Sequence, residues 1–431
     1  MLIEFKFKNF KSFKDEQVFN LVASPDNSLS ENLSVPENFG KQRLVNSAAM
    51  YGANASGKSN VVQALSFVKQ FVLTSANSAI GSETKVKPFL LNEATAKEPT
   101  EFELHFIYQK VRYQYGFSLD NERVYEEWLI AYPKGQPQNW FERNPATDSV
   151  GSEWTSVRNE VGKSLKPLQQ FTRPNVLFLS LAASLNNTKI GEVYAWFSDK
   201  LSLANLDEHQ PFYEIVTMQR LLRDAGLQAK LTKLLRQADT GITGFLMEEK
   251  DVTQENLRAD LPEQLRSLLT QSGSDKASKS FEVIASHQSK TQSGVSIPLK
   301  WQTESLGTRR LFGVGGLLLE ALESGRVLVV DELDASFHPL LVKALIEMFH
   351  NPELNPYGAQ LIFNTHDTTL LDLTLLRRDQ IWFTEKDNIG ASQLYSLLEY
   401  KPRDNELVQK GYLQGRYGAV PFIPEPLLKV S

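Results

Sequence analysis

The stretch Gly52-Ala53-Asn54-Ala55-Ser56-Gly57-Lys58-Ser59 constrains this chain more than any other. It fits G-x-x-x-x-G-K-[ST], in which glycines let the backbone curl so that successive N–H groups point at phosphate oxygens. In that pattern Lys58 reaches the β- and γ-phosphates of a nucleotide and the Ser59 hydroxyl ligates Mg²⁺. The next helix aims its positive N-terminal end at the same phosphates, so the candidate binding set extends from Gly52 to Asn60. The neighbours support the pattern. Val45 to Tyr51 is a short, mostly apolar run suited to a buried strand, and Val61, Leu65, Val68 and Val72 mark one face of a helix. Strand, glycine loop and helix follow in the order that phosphate binding requires, which makes a ligand-free glycine turn the weaker reading.

The 431 residues suffice for two or three domains. The absence of cysteine excludes disulfides, thiolate zinc sites and cysteine nucleophiles, and fits a cytoplasmic protein. Met1 to Lys6 alternates apolar and charged residues without the apolar core of a signal peptide, and no apolar run is long enough to cross a bilayer, so no membrane association is expected. A net charge of −5 argues against a wholly basic nucleic-acid binder; DNA binding through a local patch stays open but is not indicated by charge.

Ile3, Phe5 and Phe7 alternate with Glu4, Lys6 and Lys8, the pattern of a half-buried strand, and a second strand is expected near Gln17 to Leu21. Alternation returns from Phe102 to Tyr108 and from Val111 to Leu119, giving a hairpin to which Val124 to Tyr132 adds a third strand. From Gly191 to about Leu269 the period is helical, with Leu227, Leu231 and Leu234 on one face and Leu257, Leu261, Leu265 and Leu268 on another. A short strand near Gly244 to Glu248 interrupts it, and Gln271 to Lys276 reads as a flexible linker.

Arg326-Val327-Leu328-Val329-Val330-Asp331-Glu332 reads as a buried parallel strand that delivers two acids at its C-terminal end, where open α/β sheets bind ligands. Asp331 would hold Mg²⁺ and Glu332 would orient and deprotonate the attacking water. Taken alone, such a pair is more often a helix cap; the phosphate loop upstream reverses that preference. Gln360 to Asp367 is a further strand ending in polar residues; it resembles the switch-histidine segment of ABC-type ATPases, which implies that His366, a candidate catalytic residue, lies near the γ-phosphate.

Together these motifs resemble ABC-type ATPase heads of the SMC, RecF and OLD group, and more narrowly the AbiLi/RloA group of abortive-infection ATPases. The narrower resemblance rests on Gly52 to Asn60, Ala238-Asp239 with Gly241-Ile242, Glu304 to Arg310, Val330 to Pro339, Asn364 to Asp367 and the tail Gly411 to Pro421. It implies that Lys11, in Asn9-Phe10-Lys11-Ser12, approaches the nucleotide phosphates. It implies too that Ser305 and Gly307 serve as the signature contacting the γ-phosphate of a facing protomer, although the usual Leu-Ser-Gly-Gly-Gln is absent. Arg309 or Arg310 could add charge there, and His338 lies where the D-loop is expected.

The fold expected is α/β: an ABC-type P-loop ATPase head with an antiparallel β-lobe and a helical insertion. Residues 1–190 form an N-terminal ATPase lobe, 191–295 the insertion and 296–431 a C-terminal ATPase lobe. The function that the resemblance implies is Mg²⁺-dependent ATP hydrolysis by a homodimer or higher homo-oligomer. Such a protein would be an ATP-gated scaffold in antiphage defence for a separate effector, a Toprim-type nuclease. A RecF-like DNA-repair clamp is the alternative.

Overall fold

The computed structural model describes residues 1–144, 154–155, 159–206, 210–251, 279–289, 295–335, 337–403 and 406–421. The chain divides into two compact units, Met1–Asp207 with Ala321–Ser431, and Glu208–Glu320.

The first unit contains two six-stranded sheets. One is antiparallel, in the order Gln17–Asn20, Leu2–Lys8, Thr100–Tyr108, Val111–Leu119, Val124–Tyr132, Gln138–Arg143. Its alternating sequence sorts as period two requires: Phe5, Phe7, Phe102, Leu104, Phe106, Tyr115 and Phe117 are buried. On the other face Lys6 pairs with Glu103 and Lys8 with Glu101, each at 3.2 Å. The last strand, Gln138–Arg143, went unforeseen because only Trp140 and Phe141 are apolar within it.

The second sheet runs in the order Leu201–Asn205, Val327–Asp331, Gln360–Asn364, Ser47–Gly52, Ile381–Lys386, Ser392–Ser396. The first five strands are parallel and the sixth is an antiparallel edge. Leu201–Asn205 lies inside the stretch read as helical. Five residues with an irregular burial pattern leave no period to detect, and only pairing with Val327–Asp331 fixes them as a strand. The P-loop helix, Lys58–Thr74, joins the two sheets. Phe67 stacks near Phe102 and Phe71 near Phe117, while Val61, Leu65 and Val68 join the same core as Val327, Val329 and Ile362.

The N-terminal end of the parallel sheet is closed by a buried polar network. Gln380 donates to Ser47 Oγ (2.8 Å) and accepts from Asn32 (2.7 Å) and from the Arg377 amide (2.8 Å). His350 Nε2 lies 2.7 Å from Ser47 Oγ. Arg377 meets Asp379 in a two-pronged pair at 2.8 and 2.9 Å. Gln360 accepts from the Leu2 amide and donates to the carbonyls of Leu2 and Val45.

The second unit holds helices Gln210–Leu221 and Ala225–Gln237, a three-stranded antiparallel sheet (Ile242–Asp251, Lys279–Gln288, Ser296–Lys300) and the start of helix Leu306–Ser324. Leu227 and Leu231 are buried, as their spacing suggests, while Leu234 is only half-buried and Leu235 is the third buried leucine of the helix. The strand expected at Gly244 to Glu248 is the centre of a longer one, so the insertion combines helices with a sheet. The Leu257 to Leu268 face and the Gln271 to Lys276 linker lie outside the described residues.

Candidate functional site

Parallel strands end on one edge of their sheet, and register determines which residues meet there. Gly52 faces Thr384 and Met50 faces Asn364, while Val330, one residue before Asp331, faces Phe363, one before Asn364. The phosphate loop, the acidic pair and the histidine segment therefore converge, although some 270 residues separate Ser59 from Asp331.

The loop is tightly built. A Cβ on Gly52 would collide with the Thr384 backbone and with Ser56. Gly57 has φ 121°, and a Cβ there would lie 2.8 Å from Ser392 Oγ. Ser56 Oγ and Thr384 Oγ1 are 2.6 Å apart, fixing the loop to the neighbouring strand. Lys58 is buried and donates to the carbonyls of Gly52 (2.7 Å) and Ala53 (3.1 Å). Burial lowers its pKa, while Glu332, Asp331 and Asp334 pull it back towards the charged form. Asn54 and Ala55 are exposed at the loop's crest, and Asn60 donates to Ser12 Oγ (2.7 Å) at the start of the helix.

Ser59 Oγ donates to Asp331 Oδ1 at 3.1 Å. The side-chain amide of Asn364 donates to the same oxygen, and its carbonyl accepts the backbone N–H of Glu332. Glu332 is half-buried and sits at φ 59°, a left-handed conformation uncommon for non-glycine residues. His366 is exposed; its amide donates to Asp334 Oδ2 at 3.1 Å. Its pKa is lowered by partial burial and by the charge of Lys58, which places the ring in the electrostatic field of the loop.

A Mg²⁺ ion fits the donors present. Ser59 and Asp331 supply two hard oxygens side by side, and Mg²⁺ commonly takes one or two protein oxygens with substrate phosphates and water. Among the described residues no cluster of three His, Asp or Glu could hold a metal alone.

Lys11 lies beside this site. Its backbone is left-handed (φ 52°), its amide donates to the Lys87 carbonyl (2.8 Å), and its ammonium bonds Gln63 on the P-loop helix. Burial, then the Lys87 charge, lowers its pKa. Its neighbour Ser12 is fixed by Asn60 and by Ser392 (2.8 Å).

Ser305 and Gly307 belong to the second unit. Ser305 accepts the Thr308 N–H at 3.1 Å, the hydrogen bond of a helix N-cap, and Gly307 lies in the first turn. Arg309 pairs with the buried Glu214 at 3.1 Å, and Glu304 lies 2.8 Å from His287. His338 caps helix Pro339–His350 by accepting the Leu340 N–H.

Sequence reasoning missed two residues, Asn364 and Thr384, as parts of the site. Asn364 ends an apolar strand and Thr384 is the last buried residue of another, and that position was the available signal: a polar residue directly after an apolar run.

The sequence matches the protein family described as "AAA domain, putative AbiEii toxin, Type IV TA system" over residues 47–372, well over half of the chain. No curated protein matches it. Among solved structures, the SMC head domain from Thermotoga maritima is similar at 13% identity and a TM-score of 0.39, covering 92% of this chain and 98% of that one. The Smc head domain with an extended coiled coil bound to the C-terminal domain of ScpA, from Pyrococcus furiosus, is similar at 13% identity and 0.42, with coverage of 93% and 97%.

Proposed function

The chain belongs to the AAA-domain family described as putative AbiEii toxin, Type IV TA system, and on that premise we propose that it is a Mg²⁺-dependent ATPase acting as an ATP-gated scaffold in antiphage defence. The observation that carries the chemistry is the convergence of Lys58, Ser59, Asp331 and Glu332 at one sheet edge. Lys58 and the amides of Gly52 to Asn60 bind the phosphates. Ser59 and Asp331 hold Mg²⁺, which neutralises phosphate charge when bound. Glu332 orients water in line with the γ-phosphate and takes its proton, His366 contacts the γ-phosphate from the adjacent strand, and Lys11 adds charge from the side.

Ser305 and Gly307 serve a facing protomer, so that a two-fold dimer has two composite sites. The effector is a separate protein, a nuclease of the Toprim type in the narrowest form of this reading, and the complex is cytoplasmic. No helix among the described residues is long and apolar enough to cross a membrane.

Mixing Ser305→Arg and Lys58→Ala subunits tests the composite site. Each homodimer should be inactive, while a mixed dimer retains one intact site and should recover up to half of the activity. Full activity of Ser305→Arg alone would remove Ser305 from the chemistry and leave it as a helix cap. For the defence role, cells carrying the system with Glu332→Gln should lose phage resistance while retaining the protein; undiminished resistance would contradict the ATP gate.

A further inference from the structure

Asp331 and Glu332 cannot position themselves. Asp331 is the last residue of its strand, where the backbone ladder ends, and Glu332 must turn into a left-handed conformation immediately afterwards. A carboxylate meant for a metal also needs its rotation fixed, because the wrong oxygen or angle weakens ligation. Both tasks fall to one side chain on a different strand. Asn364 is fully buried at the end of Gln360–Asn364, between the acidic strand and the P-loop strand. Its Nδ2 donates to Asp331 Oδ1 and its Oδ1 accepts the Glu332 N–H. The backbone carbonyl of Asn364 in turn accepts the Leu333 N–H at 3.3 Å, closing the turn beyond Glu332.

We propose that Asn364 is the positioning residue of this centre, setting the Asp331 carboxylate for the metal and the Glu332 backbone for water activation through the two ends of one amide. The proposal rests on reading this sheet edge as the Mg²⁺-ATP site. An amide suits both roles because its donor and its acceptor are separate atoms held in one plane and carry no charge. Both Ser59 and Asn364 donate to Oδ1 of Asp331, so the carboxylate is held from two other elements at once.

Two variants separate positioning from plain packing. Asn364→Ala removes both hydrogen bonds. Asn364→Asp keeps the shape and the acceptor for Glu332, but sets a second carboxylate against Asp331. In metal-free buffer, both should bind ATP within about twofold of the wild type, because the loop contacts are intact. Mn²⁺ binding to the ATP-bound protein, read by electron paramagnetic resonance, should weaken by about 10- to 100-fold in Asn364→Ala, as expected for loss of an outer-shell partner. The kcat should fall by a similar factor with little change in KM.

Wild-type Mn²⁺ affinity in Asn364→Ala would overturn the proposal, as would an equal loss of metal-free ATP binding. A wild-type protein that binds Mg²⁺-ATP without hydrolysing it would overturn the ATPase reading instead, and the Mn²⁺ titration would then decide the role of Asn364. Should Asn364→Ala fail to fold, Asn364→Asp, which removes the donor to Asp331, should show the same fall in kcat at little-changed KM; a wild-type kcat would overturn the proposal.

Discussion

The two ends of the parallel sheet are equally polar and differently built. At the N-terminal end, Gln380, Ser47, His350, Asn32, Arg377 and Asp379 hydrogen-bond to one another, and only Asn32 and His350 of these border a surface cavity. At the C-terminal end, polar atoms converge without closing. The Tyr51 hydroxyl and Asp367 Oδ2 are buried without a hydrogen-bond partner, Glu332 and Ala55 are in left-handed conformations, and Lys58 bonds only carbonyls of its own loop. Buried polar groups thus do opposite jobs in one sheet. Where they pair completely they specify the fold, and where they are held in unfavourable states by their surroundings they mark the chemistry.

This contrast makes separable predictions. Arg377→Met should damage the closed end most. It leaves Asp379 buried without its guanidinium, which costs about 3–5 kcal/mol. Urea denaturation should reveal that loss, while any protein that remains folded binds ATP normally. Lys58→Ala should do the reverse: calorimetry should show ATP binding weakened by about 2–4 kcal/mol, with unfolding free energy nearly unchanged.

Acid distinguishes the ends next. Burial lowers the His350 pKa from 6.5 to about 4, so the folded protein keeps the ring neutral while the unfolded chain protonates it. Stability from this group is complete above pH 6.5 and declines as pH falls towards 4, by about 2 kcal/mol between pH 7 and 5. Glu127, raised to about 7 by burial, changes in the opposite sense over part of this range. The check is therefore the difference between wild type and His350→Gln, whose stability should fall less between those two pH values. The smallest effect is expected of Thr384→Val. Losing its bond to Ser56 should cost about 1 kcal/mol and weaken ATP binding only a few-fold.

The sequence made the recurrent parts of the molecule legible. Alternation located three strands of the antiparallel lobe, and the spacing of Val61, Leu65, Val68 and Val72 located the P-loop helix. It failed where structure depends on pairing rather than period, as in Leu201–Asn205 and Gln138–Arg143. In the candidate site, Lys58, Ser59, Asp331 and Glu332 were readable because each belongs to a contiguous motif. Asn364 and Thr384 were not, because their role comes from register between strands distant in sequence. Ser305 caps helix Leu306–Ser324 through the N–H and hydroxyl of Thr308, and its proposed nucleotide contact is what the mixed-subunit experiment tests.

The central claim is that the open end of the sheet binds ATP with one set of residues and hydrolyses it with another. Glu332→Gln addresses it most directly, because the amide retains size and position but cannot accept the water's proton. ATP binding and phosphate release, measured on the same purified sample, should show affinity within a few-fold of wild type and turnover reduced by about 10²-fold or more. Wild-type phosphate release from this variant would contradict the assignment of Glu332 as the base.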